Sequence, residues 1–133
     1  MALTVLDASI VIAFLDSEDA HHAAARAGLA SRLDAFDTFV LPVSAYAETL
    51  VGAFRSGDAA VATVEAFLDA LPARIEPATP IIGRHAARLR AEHGGRLPLP
   101  DAFVVATAIE LRAERLLTTD RRWPGVGVRV DVL

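Results

Sequence analysis

The sequence predicts an α/β fold, a three-layer sandwich in which helices flank both faces of a five-stranded parallel sheet. Five short strand-like runs alternate with longer segments rich in alanine, which favours helix. Strands and helices that alternate in this way form parallel sheets whose faces are covered by the intervening helices. A chain of 133 residues is about the length of one domain, so we expect residues 1–133 to form a single domain.

The first half of the chain predicts two strands and four helices. Leu3–Leu6 is an apolar run cut by Asp7, and Thr38–Leu41 is a second run closed by Pro42. The helix predicted over Val43–Phe54 carries apolar residues at helical spacing, and its stripe is expected to join the core. The other helices are predicted over Ser9–Leu15, from about Ala20 to Leu33, and from Asp58 to Leu71.

The second half predicts three strands, two helices and an extended connector. The helix predicted over Asp101–Ala113 is apolar nearly all round, so we expect it to be central and buried. The connector is Leu97–Pro100, and the glycine pair at residues 94–95 ends the helix before it. That helix is predicted over Ile81–Glu92, and the strands over Arg74–Pro77, Arg115–Thr118 and Val128–Val132.

The composition excludes several classes of chemistry. The chain has no cysteine, which rules out disulfides, thiolate zinc sites and cysteine nucleophiles and fits a cytoplasmic protein. It has no lysine, which rules out a P-loop lysine and a Schiff-base lysine. The four histidines do not show the spacing of zinc ligands. The longest apolar stretches are shorter than the roughly 20 residues that span a bilayer, so no membrane role is expected.

The charges are distributed unevenly. The net charge of −4 argues against a protein that coats nucleic acid. Residues 84–122, however, hold 8 arginines and 5 acids, whereas residues 1–83 hold 4 arginines and 11 acids. An acidic site beside an arginine-rich segment suits a phosphodiester substrate, and ordinary solvated helix faces are the simpler alternative.

Four acids lie where predicted strands end and helices begin. Asp7 and Asp120 are each the first charged residue after a predicted strand, and Glu48 lies near the start of the helix that leaves the second strand. Asp101 begins a helix, where the positive end of the dipole favours its charge. Ligands of parallel sheets bind at the carboxyl ends of the strands, so this topology can bring the four acids together.

Several carboxylates in one cleft repel one another unless a cation neutralises them. Oxygen ligands favour Mg²⁺ or Mn²⁺, and a bound ion can activate water for phosphodiester hydrolysis. Asp7 and Asp101 are the first choice as direct ligands, with Glu48 and Asp120 completing the set or holding its waters. Ser9 and Thr118 are candidates to hydrogen-bond the carboxylates. Each acid alone has a simpler interpretation as a helix cap, a turn residue or a surface residue.

The ordered set of motifs resembles the PIN-domain ribonucleases, and more narrowly the VapC toxins of type II toxin–antitoxin modules. The matching segments span essentially the whole chain: Val5-Leu6-Asp7-Ala8-Ser9, Glu48 in its helix, Leu99-Pro100-Asp101-Ala102-Phe103 with Ala106-Thr107-Ala108, and Leu117-Thr118-Thr119-Asp120. The resemblance implies a five-stranded parallel sheet and an Mg²⁺ or Mn²⁺ site that cleaves RNA. It also implies a homodimer that a VapB-type antitoxin inhibits by crossing the active cleft.

Two other functions stay open from the sequence. The first is a PIN fold that no longer cleaves and acts by binding RNA or a protein, against which the presence of all four acids argues. The second is an aspartyl phosphatase, against which the missing lysine and the serine two residues after Asp7 both argue. The helices in residues 8–33 and 43–71 carry more apolar surface than a small sheet needs, so part of it is expected to cover a dimer or antitoxin interface.

Overall fold

Five strands and six α-helices alternate along residues 2–133, the part of the chain that the computed structural model describes. The strands are β1 (Leu3–Leu6), β2 (Thr38–Pro42), β3 (Ala73–Glu76), β4 (Arg115–Thr118) and β5 (Val130–Val132). The helices are α1 (Ala8–Leu15), α2 (His22–Asp34), α3 (Val43–Ser56), α4 (Asp58–Ala70), α5 (Pro80–His93) and α6 (Leu99–Glu110). A 3₁₀ turn, Gly94–Arg96, joins α5 to the segment before α6.

The strands form one sheet in the order β3-β2-β1-β4-β5, and all four strand pairings are parallel. The predicted α/β class, with a five-stranded parallel sheet flanked by helices, is therefore confirmed. From β1 the chain moves outward through β2 and β3, and then crosses to β4 on the other side of β1. The winding direction thus reverses between β1 and β4, which creates a crevice at the carboxyl ends of these strands.

The core lies between the sheet and its helices. All four residues of β4 are buried, as are Val5 and Leu6 of β1. The prediction that α6 is central is confirmed, because its residues 104–106 are buried and the helix contacts three strands and two other helices. None of the helices in residues 2–133 is both long and apolar enough to cross a bilayer.

The start of α6 differs from the prediction. The connector expected to be extended through Pro100 ends at Pro98, and α6 begins at Leu99. Proline fits the first turn of a helix, where the missing N–H has no intrahelical partner to lose, so Pro100 is accommodated as the second residue of α6. Asp101 is therefore the third residue of α6 and lies within its first turn.

Two further boundaries also moved. The helix α6 ends at Glu110 rather than Ala113, because Arg112 adopts a left-handed φ of 52° that a helix cannot contain. The strand β5 begins at Val130 rather than Val128, after Gly127 turns the chain with a φ of 78°. The other predicted boundaries agree with the structure to within two residues.

Candidate active site

Asp7 occupies the centre of the site. It directly follows β1, where it takes the N-cap position of α1 with extended backbone angles, and it is 5% exposed. Its Oδ2 accepts hydrogen bonds from the hydroxyls of Ser9, at 2.7 Å, and Thr118, at 2.9 Å. Burial raises the pKa of Asp7, and these hydrogen bonds partly offset that effect by stabilising the carboxylate.

Ser9 and Thr118 join the end of β4 to the start of α1. The Ser9 hydroxyl accepts the backbone N–H of Thr119 at 3.1 Å, and the Thr118 hydroxyl accepts the backbone N–H of Asp120 at 3.1 Å. The prediction that both hydroxyls hydrogen-bond site carboxylates is confirmed for Asp7. Thr118 reaches Asp120 through the main chain, so the two hydroxyls act together on one carboxylate and on the turn after β4.

Asp101 projects from the first turn of α6 and is partly buried. Its pKa is raised to about 6, first by burial and then by the negative charges of Asp7, Glu48 and Asp120. The other three acids all raise this one pKa, so the four carboxylates share one electrostatic environment. Near neutral pH, Asp101 is therefore destabilised as a free carboxylate.

Glu48 lies on the exposed side of α3, the helix that directly follows β2. Burial, followed by the negative charge of Asp7, raises the pKa of its carboxyl. Glu48 lines the same cavity as Asp7 and Asp101, so the isolated surface glutamate suggested by its helical position is not what the structure shows.

Asp120 differs from the other three acids because it has a basic partner. Its Oδ1 accepts hydrogen bonds from Nε and the backbone N–H of Arg122, at 3.1 and 2.8 Å, and its Oδ2 accepts one from Nη2 of Arg122 at 3.0 Å. These hydrogen bonds lower the pKa of Asp120. Near neutral pH Asp120 is thus ionised, and both of its oxygens accept hydrogen bonds from Arg122.

One open cavity of about 570 Å³ is lined by all four predicted acids together with Ser9. It lies at the crevice between β1 and β4, as expected for a ligand site on a sheet of this topology. The structure therefore brings the predicted residues together. Whether these acids act in catalysis or bind a metal stays a prediction at this point.

The chemistry of the donor set fits a hard divalent cation. Oxygen atoms of partly buried carboxylates that repel one another are suitable ligands, and a cation would relieve the repulsion that raises the pKa of Asp101. Among residues 2–133, no three His, Asp or Glu side chains are arranged as a ready-made metal cluster. Mg²⁺ typically uses one or two carboxylates together with water, so Asp7 and Asp101 stay the predicted ligand pair.

Four residues at the site were not predicted from the sequence. Arg121, Arg122 and His21 line the cavity, and Trp123 lies beside Asp101 and Asp120, where its indole N–H is buried without a hydrogen-bond partner. The sequence signal for three of them is adjacency, since Arg121, Arg122 and Trp123 directly follow Asp120. For His21 the spacing of the histidines gave no signal, and in the structure its Nδ1 lies 3.6 Å from the Asp19 carboxylate.

Comparison with known proteins places these features in a family. A family model described as the PIN domain matches residues 4–128. No curated protein sequence matches the chain.

Several solved structures share its fold. A DNA-bound VapBC from Salmonella typhimurium superposes with a TM-score of 0.76 at 17% identity, covering 99% of this chain and 98% of that one. A toxin–antitoxin complex from Klebsiella pneumoniae gives 0.66 at 25% identity, covering 93% and 92%. Mycobacterium tuberculosis VapC20, a sarcin–ricin loop cleaving toxin, gives 0.68 at 21% identity, covering 85% and 86%.

Proposed function

The chain belongs to the PIN-domain family, and from that membership we propose that it is a metal-dependent endoribonuclease, the toxin of a VapBC-type toxin–antitoxin pair. The observation that carries the proposal is the convergence of four acids, Asp7, Glu48, Asp101 and Asp120, on one cavity at the switch point of the sheet. Structural similarity to toxin–antitoxin complexes and to a toxin that cleaves the sarcin–ricin loop supports it.

In this proposal Asp7 and Asp101 hold Mg²⁺ or Mn²⁺. When bound, such an ion supplies an activated water and offsets the negative charge that develops on the phosphodiester during hydrolysis. The hydroxyls of Ser9 and Thr118 hold the Asp7 carboxylate in one orientation, which preorganises it. Glu48 is exposed and free to complete the ligand set or to hydrogen-bond its waters.

Asp120 has a separate role in the proposed reaction. Because Arg122 engages both of its oxygens, Asp120 keeps a guanidinium at the edge of the cavity, where a phosphodiester would lie. It still adds negative charge to the site, since its charge contributes to the raised pKa of Asp101. In the proposed reaction Asp120 therefore positions Arg122 near the substrate and adds negative charge near the metal.

RNA cleavage by the purified protein tests this proposal. We expect cleavage with Mg²⁺ or Mn²⁺, abolition by a chelator, and losses of at least a hundredfold in the Asp7→Asn and Asp101→Asn variants, on the order of what removal of a metal-positioning group costs. Asp34→Asn is the matched control, because Asp34 is an exposed acid at the end of α2. Equal rates in all four proteins would refute the assignment.

The proposed antitoxin partner fits an apolar groove between α1, α3 and α4. The groove encloses about 480 Å³ and is lined by apolar and small residues that include Ile12, Leu15, Ala53 and Val64. Ile12 lines the acidic cavity as well, so a peptide in the groove can continue into the site. A partner helix bound there would block substrate, as expected for an inhibitory antitoxin.

The proposed homodimer uses a different surface, which shares only Glu48 with the acidic cavity. Val51 and Leu99 are 49% and 46% exposed, and together with Phe103 they line a second apolar groove between α3 and α6. Exposed apolar side chains that are contiguous in this way are typical of subunit interfaces. We assign this α3–α6 face to a second copy of the chain.

The second candidate function is a PIN domain that binds RNA or protein without cleaving. This function requires no metal ion, so metal binding distinguishes it from the nuclease. Calorimetric titration with Mn²⁺ separates the two functions. Saturable binding that Asp101→Asn weakens supports the nuclease, whereas an absence of binding supports the non-cleaving module.

A further inference from the structure

A second cleft adjoins the acidic cavity. It encloses about 270 Å³ and is lined by Gly95, Arg96, Pro98, Asp120 and Arg122. It shares Asp120 and Arg122 with the acidic cavity, so the two form a continuous surface. This cleft is here called the Arg96–Arg122 cleft. We infer that it binds a phosphodiester of the substrate RNA, the one adjacent along the strand to the phosphodiester that is cut. This inference rests on the proposed ribonuclease function.

The charge of the cleft suits an anion. Two guanidiniums and one carboxylate line it, so it is net positive, in contrast to the acidic cavity beside it. In residues 2–133 the arginines that form ion pairs are Arg32, Arg74, Arg115, Arg122 and Arg129. Arg96 is not among them, and it is exposed, so its guanidinium is available to a ligand.

Arg122 is preorganised for the same task. Its Nε and Nη2 donate to the two oxygens of Asp120, which fixes the plane of the guanidinium. A guanidinium has five N–H donors, so both donors on Nη1 and one on Nη2 stay free for a phosphate. The side chain is 88% exposed despite this pairing, so solvent and ligand can reach those donors. Its fixed orientation reduces the entropy lost when a phosphate binds.

The turn between α5 and α6 forms part of the cleft wall. The helix α5 ends at His93, and Gly94, with a left-handed φ of 58°, begins the turn that presents Gly95 and Arg96. A Cβ added at Gly95 would meet no atom within 4 Å. A side chain can therefore be introduced at Gly95 to test the cleft without a clash.

RNA binding is preferred over binding of an acidic protein segment because of continuity. A strand whose scissile phosphodiester lies in the acidic cavity must extend across neighbouring surface, and this cleft shares two residues with that cavity. Single-stranded nucleic acid is held mainly through its phosphates in positively charged grooves. An acidic peptide has no phosphodiester to place in the acidic cavity, so continuity of the two clefts does not favour it.

The test measures binding without cleavage. In the Asp101→Asn background with Mg²⁺, a fluorescent single-stranded RNA oligonucleotide is titrated by anisotropy at several salt concentrations. We expect Arg96→Ala to weaken binding roughly fivefold to tenfold, with the salt slope reduced by about 0.7, the value for one lost phosphate contact. Arg88→Ala is the matched control, since Arg88 is exposed on α5 and lines neither cleft.

A second pair of variants tests the same cleft without removing an arginine. Gly95→Asp adds a carboxylate to a residue that lines the cleft and should weaken binding strongly, whereas Gly95→Ala should bind as the parent does. If Arg96→Ala matches Arg88→Ala and Gly95→Asp matches Gly95→Ala, the inference is overturned. It is also overturned if poly-glutamate binding depends on Arg96 while RNA binding does not.

The two proposals fail in different ways. If the protein with Asp101 intact does not cleave RNA but binding depends on Arg96, the phosphate subsite is supported and the nuclease proposal falls. If that protein cleaves RNA while Arg96→Ala changes neither binding nor its salt slope, the nuclease stands and the subsite falls.

Discussion

The hydroxyl of Thr118 donates a 2.9 Å hydrogen bond to Oδ2 of Asp7, across 111 positions of the sequence. Thr118 is fully buried, and its hydroxyl also accepts the backbone N–H of Asp120 at 3.1 Å. One side chain therefore links the carboxylate that follows β1 to the turn that carries the acid following β4. The relative position of these two acids depends on Thr118.

Replacing Thr118 with valine should reduce activity more than the small change in side-chain shape suggests. The variant leaves Asp7 with one donor fewer and the Asp120 N–H without its acceptor, so we expect a loss of about 1–3 kcal/mol in the free energy of unfolding. The cleavage rate should fall by roughly tenfold or more, since the orientation of a ligand is lost. Urea denaturation and initial cleavage rates measure the two effects.

Thr107→Val is the control for that variant. Thr107 is buried as well, but its hydroxyl donates to the carbonyl of Phe103 within the same helix. We expect its cleavage rate to stay near that of the parent. If the two variants lost the same activity, Thr118 would have no special role in orienting Asp7.

In the absence of divalent cations, stability should fall as the pH rises from about 4 to about 6. The pKa of Asp101 is about 6 in the folded protein and near 3.8 in the unfolded chain, so the folded state binds the extra proton within this window. The pKa values of Asp7 and Glu48 are also raised and act in the same direction. Asp120, with its lowered pKa, acts in the opposite direction only below about pH 4.

Asp101→Asn should therefore be more stable than the parent in a chelator at pH 7.5, by a few degrees in Tm, and its Tm should change less between pH 4.5 and 7.5. Thermal unfolding followed by circular dichroism measures both. Mg²⁺ should raise the Tm of the parent more than that of the variant, because the variant lacks one proposed ligand. A parent protein that is equally stable at both pH values would contradict the proposed repulsion.

The convergence of the acids could be predicted because it follows from topology. In a parallel sheet the carboxyl ends of all strands lie at one edge. Once the strands before Asp7 and Asp120 are recognised, both residues are therefore predicted to lie at that edge. Alternation of strands and helices does not reveal strand order, however. That β1 and β4 are neighbours, which brings Thr118 to Asp7, depends on long-range pairing that local patterns do not encode.

Other features depend on context that the sequence does not display. Helical spacing placed Phe54 on an apolar stripe expected to be core, yet it is 66% exposed, because spacing identifies a face of a helix and not what covers it. The pairing of Arg122 with Asp120 depends on the geometry of the turn after β4. The start of α6 at Leu99 could not be predicted, because proline is compatible both with the first turn of a helix and with an extended connector.

Asp37→Ala should destabilise the fold without impairing the active site. Asp37 lies at the opposite edge of the sheet, with only 2% of its side chain exposed, and its Oδ2 accepts the Thr4 hydroxyl at 2.7 Å. The same oxygen lies 3.5 Å from Nη1 of Arg115, whose side chain is 9% exposed. Removing one partner of a buried ion pair costs about 3 kcal/mol, so chemical denaturation should show a loss of that order.

Asp34→Ala provides the comparison, because Asp34 is exposed near the same edge. It should change the free energy of unfolding by less than about 0.5 kcal/mol. Cleavage by folded Asp37→Ala, assayed at low temperature, should match the parent. A large loss of activity in the folded variant would show that the two edges of the sheet are coupled.

Val51→Asp should convert the proposed dimer into a monomer. Val51 is half-exposed on the α3–α6 face, and a carboxylate there would be desolvated without a partner in the dimer. Phe36→Asp is the control, because Phe36 is 75% exposed and lies on the turn between α2 and β2. Light scattering at high concentration should show a monomer only for Val51→Asp. A parent protein that is monomeric at every concentration would exclude this interface.

Gly52→Phe should block antitoxin binding and leave cleavage intact. Gly52 lines the groove between α1, α3 and α4, and a Cβ there would meet no atom within 4 Å, so a large side chain extends into the groove rather than into the core. Gly52→Ala adds only a methyl group and should stabilise α3 by roughly 0.5–1 kcal/mol while retaining the partner. Each variant is co-expressed with the proposed VapB-type antitoxin, and the complex is isolated by affinity purification. We expect Gly52→Ala to retain the antitoxin and Gly52→Phe to lose it while still cleaving RNA. Retention by both variants would place the antitoxin on another surface.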